Sequence, residues 1–380
     1  MRKLILLLPL CLMLGGCWDQ QPIEQLGFVA MVGVDGTPGH IHMFARTVIP
    51  ENLPSSMSPS ASGNRSAGVT TYEGTGPDLY MASKAAGGHS PKRLYFGQLQ
   101  AIIVSESLAS AGDLGDILDN YVRHAKCRNL AWVYLATSAD LPLIMQTAPM
   151  NANYPGEALD NLSLAEHLQG GTLPRRTFEV VDRLMSPGQD LSLPRLTVRD
   201  KNFALDGADI FQGQRLVGHL DAAASRTLAL LQARVPLSSL SIPCQARGSV
   251  AVDLTSPHPH IGTQVAHGRV QSLWVDLHTS LNIKQMSSCP GDLSTSAFQK
   301  EIASATAVRL VELSTRMMQG LQANGSDVLG FGEQLREHEP TVWRQVQPEW
   351  SSKIFRRLPV AIRVRVTPDG VGALDGTISS

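Results

Sequence analysis

From Leu273 to Ile283 the chain sets Leu273, Val275, Leu277, Thr279, Leu281 and Ile283 at every second position, with mostly polar residues between them. Successive side chains of a strand point to opposite faces, so this period of two predicts a strand with one buried face. A helix is predicted next, over about Thr295 to Ala323, with Phe298, Ile302, Val308, Val311 and Met318 on its apolar side. A last strand follows at Val360 to Val366, placing Val360, Ile362, Val364 and Val366 on one face and Ala361, Arg363 and Arg365 on the other. A long helix laid across an antiparallel sheet buries both apolar surfaces, so these segments predict an α+β fold.

The rest of the chain continues the mixed pattern. A strand at Phe28 to Val34, the turn-forming Asp35-Gly36-Thr37-Pro38-Gly39 and a strand at Ile41 to Val48 predict a β-hairpin. Residues 52–68, rich in Ser, Pro, Gly and Asn, read as an exposed flexible loop. A helix near Asp78 to Ala86, a strand at Leu99 to Val104, a helix carrying Leu114, Ile117, Leu118, Tyr121 and Val122 on one face, and a strand at Trp132 to Ala136 complete a unit. Residues 138–198 read as mainly helical, a candidate subdomain, with Ser163-Leu164-Ala165-Glu166 fitting a capping box. Ala208 to Phe211, a Gln212-Gly213-Gln214 turn, Arg215 to Gly218 and a helix over Asp221 to Leu231 form a compact β-β-α unit, so 205–245 is a second candidate subdomain.

The N-terminus restricts where this body resides. Arg2 and Lys3 precede the apolar run Leu4 to Leu14, which ends at Gly15-Gly16-Cys17. Eleven residues fall short of the roughly 20 needed to span a bilayer, so 1–16 read as a signal peptide. Leu14-Gly15-Gly16-Cys17 resembles a bacterial lipobox, which makes Cys17 the lipid-attachment site, bearing N-palmitoyl and S-diacylglyceryl groups. One acyl chain holds a protein only marginally at a membrane, whereas two or more anchor it. No later segment reaches 18 consecutive apolar residues, so the lipid is the expected anchor.

Composition narrows the function classes. A net charge of -1, with 43% hydrophobic and 17% charged residues, describes a folded body and gives no support for a nucleic-acid partner. The roughly 360 residues after Cys17 favour more than one domain. The organisation expected is a lipidated N-terminus and linker over 17–21, an N-terminal α+β region over 22–198, a C-terminal α+β region over 205–372 and a tail over 373–380. Of the five cysteines, Cys11 leaves with the signal and Cys17 carries lipid, so Cys127, Cys244 and Cys289 remain. Cys244 and Cys289 flank a strand-rich stretch and are candidates for a disulfide, although sequence separation does not bring their Cα atoms within the roughly 4.4–6.8 Å required.

No catalytic residue is nominated. The chain lacks a GxSxG elbow, an HExxH helix and a Walker loop. His40-Ile41-His42 and His258-Pro259-His260 have ligand-like spacing without an evident carboxylate or cysteine cluster, and read as loop or strand histidines, so no metal and no cofactor is expected. Asp113, Asp116 and Asp119, three apart, suit a solvated helix surface. Trp343, Trp350 and Phe355 read as core, and the glycines of Gly330-Phe331-Gly332 as permitting close packing or a turn.

A family resemblance runs through these segments. Cys17-Trp18-Asp19, Ile23-Glu24-Gln25-Leu26-Gly27-Phe28-Val29 and Val32-Gly33-Val34-Asp35 resemble the start of the Ger(x)C spore-germination lipoproteins. Pro91-Lys92-Arg93-Leu94-Tyr95-Phe96-Gly97-Gln98-Leu99-Gln100 and Val104-Ser105-Glu106 resemble an internal segment, with Gln98 where histidine is more usual. Ile242-Pro243-Cys244 is another match, and Asp327-Val328-Leu329-Gly330-Phe331-Gly332, with Trp343, Trp350 and Phe355 before Pro359, resembles the C-terminal block. Arg123-His124-Ala125-Lys126-Cys127-Arg128 keeps flanking arginines but lacks the acidic residue often found between them. The resemblance implies a non-enzymatic C subunit of a nutrient germinant receptor, lipid-anchored on the outer face of the inner spore membrane. Its implied partners are an A-type and a B-type membrane subunit. The alternative is a lipid-anchored solute-binding protein of a transporter, built from two α/β lobes around a ligand cleft.

Overall fold

The computed structural model describes residues 22–48, 68–123, 127–149, 152–172, 174–244 and 248–370. The signal peptide, Cys17 with its linker, loop residues 52–67, His124 to Lys126 and the 373–380 tail lie outside them. Gly68, the last residue assigned to that loop, is instead buried, in the turn just before a strand.

The predicted hairpin forms from β1 (Leu26–Thr37) and β2 (His40–Val48), antiparallel, with Phe28 opposite Val48 and Thr37 opposite His40. A third strand, β3 (Val69–Gly76), extends it. The pattern left β3 unread because its Val-Thr-Thr-Tyr-Glu-Gly-Thr-Gly sequence has little apolar content, as suits a strand at a sheet edge. Helix α1 (Leu79–Gly88) follows, capped by Asp78, whose carboxylate accepts from the Met81 amide at 2.8 Å. Next come β4 (Arg93–Tyr95), β5 (Ala101–Ser105), α2 (Glu106–Ala111), α3 (Leu114–Arg123) and β6 (Trp132–Ala136). Strands β1, β5 and β6 run parallel, because helical crossovers return the chain in the same direction.

Parallel strands between helices bury both faces. Ile102, Val104, Val133 and Leu135 join one core with α3, while Ala101, Ile103, Tyr134 and Ala136 join another on the opposite side. That second core includes α4 (Leu141–Gln146) and α5 (Pro155–Gln169). The capping box expected at Ser163 and Glu166 is not formed. Pro155 starts α5 two turns earlier, so Ser163 is a buried helix-interior residue bonded to the Leu159 carbonyl and the Tyr134 phenol, and Glu166 accepts from the Thr172 amide at 2.9 Å.

After β7 (Arg175–Arg176) and α6 (Thr177–Met185), three strands complete the sheet: β8 (Ser192–Arg199), β9 (Asn202–Gln212) and β10 (Arg215–Leu220). The order is β10-β9-β8-β6-β5-β1-β2-β3, with β4 beside β1 and β7 beside β6. Residues 138–198 therefore end in a strand of the shared sheet. Residues 205–245 divide between two sheets: β9 and β10 enlarge the first, α7 (Ala222–Leu231) crosses over, and β11 (Leu237–Cys244) opens the second.

The second sheet has the order β11-β12-β13-β14, with β12 (Gly248–Ala266), β13 (Arg269–Ser287) and β14 (Val360–Gly370). Between β13 and β14 lie α8 (Ser296–Asn324), α9 (Phe331–His338) and α10 (Pro340–Val346). Leu273, Val275, Leu277, Leu281 and Ile283 are buried on the predicted face. The sheet is mixed rather than purely antiparallel: β14 pairs parallel to β13, with Leu273 opposite Val360 and Leu277 opposite Val364. The helical crossover returns the chain to the end where β13 began. Helix α8 buries Ile302, Leu310, Leu313, Met317, Met318 and Leu321, but Val308 is 60% exposed and does not belong to its apolar side.

Candidate functional site

A dense set of buried polar bonds lies where these two sheets meet, at the Asp327-Val328-Leu329-Gly330-Phe331-Gly332 block. Helix α8 stops at Gly325, whose φ of +67° is the left-handed conformation that ends helices cheaply with glycine. Asp327 then turns inward, 1% exposed. Its Oδ1 accepts from the amides of Gly330 at 2.9 Å and Phe331 at 3.0 Å, and its Oδ2 from the Gly332 amide at 2.7 Å. These are the otherwise unpaired amides at the start of α9, where a carboxylate also meets the positive end of the helix dipole. The Trp350 indole donates to Oδ2 at 2.9 Å.

The backbone of the same residue reaches into the N-terminal region. The Asp327 amide donates to the Asp190 carboxylate at 2.7 Å, and the Asp190 amide returns a bond to the Asp327 carbonyl at 3.0 Å. Asp190 also accepts from the Gly213 amide in the β9–β10 turn at 2.8 Å. The Val328 carbonyl accepts from Gln189 at 2.8 Å and Gln232 at 3.0 Å. Gly188 packs so closely that an added Cβ would lie 2.5 Å from the Glu333 amide nitrogen. Burial raises the Asp327 carboxyl to about 6, opposed by the amides of Gly332, Phe331 and Gly330 and by the indole. Burial likewise raises Asp190, opposed by the Gly213 and Asp327 amides.

Aromatic rings enclose this node. Trp343, Trp350 and Phe355 are 3%, 2% and 0% exposed, with Trp343 and Trp350 edge to face at 5.7 Å and Trp350 and Phe355 at 6.1 Å. The reading of these residues as core agrees with their burial. Gly330 has a φ of +91°, and Gly332 lies against the Trp343 ring, so the two glycines provide a turn and a close approach. Sequence reasoning did not find the roles of Asp190 and Asp327, which lie 137 residues apart. The available signal was an aspartate three residues ahead of a Gly-Phe-Gly helix start.

The other nominated residues lie elsewhere. Cys244 and Cys289 come together across the β11 end of the second sheet, with Cα atoms 5.8 Å apart, within disulfide range. Cys127 is partly buried, and burial pushes its thiol up to about 11. His42 has a carboxylate neighbour after all, Glu73 at 3.2 Å on β3, while His40 is exposed. His258 bonds the Ser256 carbonyl at 2.7 Å, and His260 is exposed opposite Asp276. Asp119 pairs with Arg123 one turn on, while burial and the neighbouring Asp116 raise Asp113. Among the described residues no group of three or more His, Cys, Asp and Glu side chains is placed to hold a metal ion. No described helix is long and apolar enough to cross a membrane.

Two family descriptions match in chain order: "Spore germination protein N-terminal domain" over residues 19–198 and "Spore germination B3/ GerAC like, C-terminal" over residues 206–372. The chain belongs to this family, the Ger(x)C spore-germination proteins. It is 20% identical to spore germination protein KC of Bacillus subtilis (strain 168), over 94% of this chain and 93% of that protein. It is 21% identical to spore germination protein A3 of the same organism, over 96% and 97%. The crystal structure of the GerBC protein shares the fold, with a TM-score of 0.56 and 15% identity over 91% of this chain and 99% of that one. The Asp190–Asp327 contact joins the stretches covered by the two family descriptions.

Proposed function

We propose that this chain is the lipid-anchored C subunit of a spore nutrient germinant receptor, acting without catalysis in receptor assembly and germination signalling. The observation that carries the reading is the match of both family descriptions, in order, across residues 19–372. Cys17 would bear the diacylglyceryl and palmitoyl groups and hold the body at the outer face of the membrane, beside A-type and B-type membrane subunits. A body whose two sheets are tied by a buried node suits a scaffold that must present fixed surfaces to partners. The node's polar groups are occupied by structural bonds, which supports a non-catalytic role.

Membrane fractionation and germination assays test this. In a strain lacking redundant receptors, deletion should abolish the response to at least one nutrient, and Cys17→Ala should release or mislocalise a folded protein and impair germination. Normal germination of the deletion strain with every nutrient, or Cys17→Ala protein that stays membrane-bound without its partner subunits, would contradict the proposal.

A further inference from the structure

The N-terminal region contains a cavity of about 240 Å³ between α1, α3 and the β4 segment. Met43, Leu94 and Phe96 give part of its lining an apolar character, Ser83 and Asn120 add neutral polar groups, and the exposed Lys84 and Arg93 give it two cations, Lys84 lying over the Tyr80 ring. Among the described residues no aspartate or glutamate lines it. Tyr121 also lines it; the residue is 3% exposed, and its phenol oxygen has no hydrogen-bond partner among the described residues. The contrast with Tyr134 is informative. That phenol is equally buried and bonds both the Leu159 carbonyl and the Ser163 hydroxyl. A buried hydroxyl without a partner is costly; the Tyr121 oxygen is itself buried beside the cavity its residue lines, so an acceptor brought within its reach would be stabilised.

We propose that this cavity binds a small organic carboxylate with an apolar body and no ammonium group. The carboxylate meets Lys84 and Arg93, the body lies against Met43, Leu94 and Phe96, and the Tyr121 hydroxyl gains an acceptor. A free amino acid would bring its ammonium beside two cations with no aspartate or glutamate among the described lining residues to receive it, so the charge pattern selects against it. The volume is below the roughly 300–1,000 Å³ of clefts for drug-sized ligands, which limits the ligand to a few carbons or a single ring. This site does not rest on the receptor reading and stands or falls separately from it.

The test is titration calorimetry on the full chain in detergent, with benzoate and 4-methyl-2-oxopentanoate as probes and leucine and inorganic phosphate as controls. The expected result is saturable binding of at least one of the two acids, with leucine and phosphate at least about tenfold weaker. A Lys84→Ala, Arg93→Ala double variant should lose at least about tenfold in affinity, since hydrogen bonds to charged groups are among the stronger ones. Tyr121→Phe should leave the unliganded melting temperature unchanged or raised while weakening acid binding. No saturable heat with either acid, leucine or phosphate binding as tightly as the acids, or a lowered unliganded melting temperature for Tyr121→Phe would each overturn the proposal.

Discussion

The two sheets solve the same burial problem in opposite ways. In the ten-stranded sheet, Ile102 and Ile103 are neighbours in β5, and both are fully buried because helices cover both faces. In the four-stranded sheet, Leu277 is fully buried while its neighbour His278 is exposed, because α8 and its followers cover one face only. A strand buried on both sides reads as an unbroken apolar run, and one buried on a single side as an alternation. The second pattern specifies register more sharply, since a one-residue slip would expose every apolar side chain. The first sheet instead relies on crossovers and on both of its cores being filled.

The largest expected effect concerns what joins the two. Asp327→Ala removes the acceptor of three backbone amides and one indole, all buried. Each donor left unpaired is costly, so urea denaturation at pH 7 should show a loss of about 3–5 kcal/mol. A loss below about 1 kcal/mol would mean that the node contributes little.

Paired truncations sharpen the comparison itself. Ile102→Ala and Ile103→Ala should each cost about 2–5 kcal/mol, and so should Leu277→Ala. His278→Ala should cost less than about 0.5 kcal/mol. Equal costs at positions 277 and 278, or a near-neutral effect at either position 102 or 103, would break the two-sided versus one-sided distinction.

The second sheet, with its single covered face, has a cross-link available, which we propose is a disulfide. Cys244 and Cys289 are 45 residues apart in sequence, and closing a loop of that length stabilises by about 4 kcal/mol in the chain-entropy model. Mass spectrometry should find the pair oxidised, and reductant or the double serine variant should lower the melting temperature. Two free thiols in protein from an oxidising compartment would contradict the bond.

The pH dependence at Asp327 has a definite sign. Its folded value of about 6 lies above the ordinary 3.8, so between these values the folded protein holds a proton that the unfolded chain does not. The associated stability is fully present below about pH 4 and is lost as pH rises through about 6. The stability difference between wild type and Asp327→Asn should therefore shrink on going from pH 4 to 7. A difference that grows over that range would reverse the assignment.

Local pattern made much of this fold legible. The hairpin, β6, α3, α7 and α8 were all readable because turn chemistry, caps and periodicity agree within a few residues of one another. What was not legible depends on distant partners. The parallel pairing of β14 follows from the route taken by three intervening helices. The exposure of Val308 depends on which face of α8 the sheet meets, and the burial of Ser163 on where Pro155 starts the helix. The Asp327 node needs Asp190, Gln189, Gly213 and Gln232, which no spacing rule connects to it. The glycines and aromatics around it were readable as packing residues, but the carboxylate that organises them was not.

The Asp327 node is expected to make the two sheets one cooperative body. Site-resolved native-state hydrogen exchange tests it most directly, by comparing the opening free energies of the Ile103 and Leu277 amides. In the wild type the two should agree within about 1 kcal/mol, and in Asp327→Ala they should separate by more. Clearly different opening energies in the wild type, or values that fall together in the variant, would contradict it.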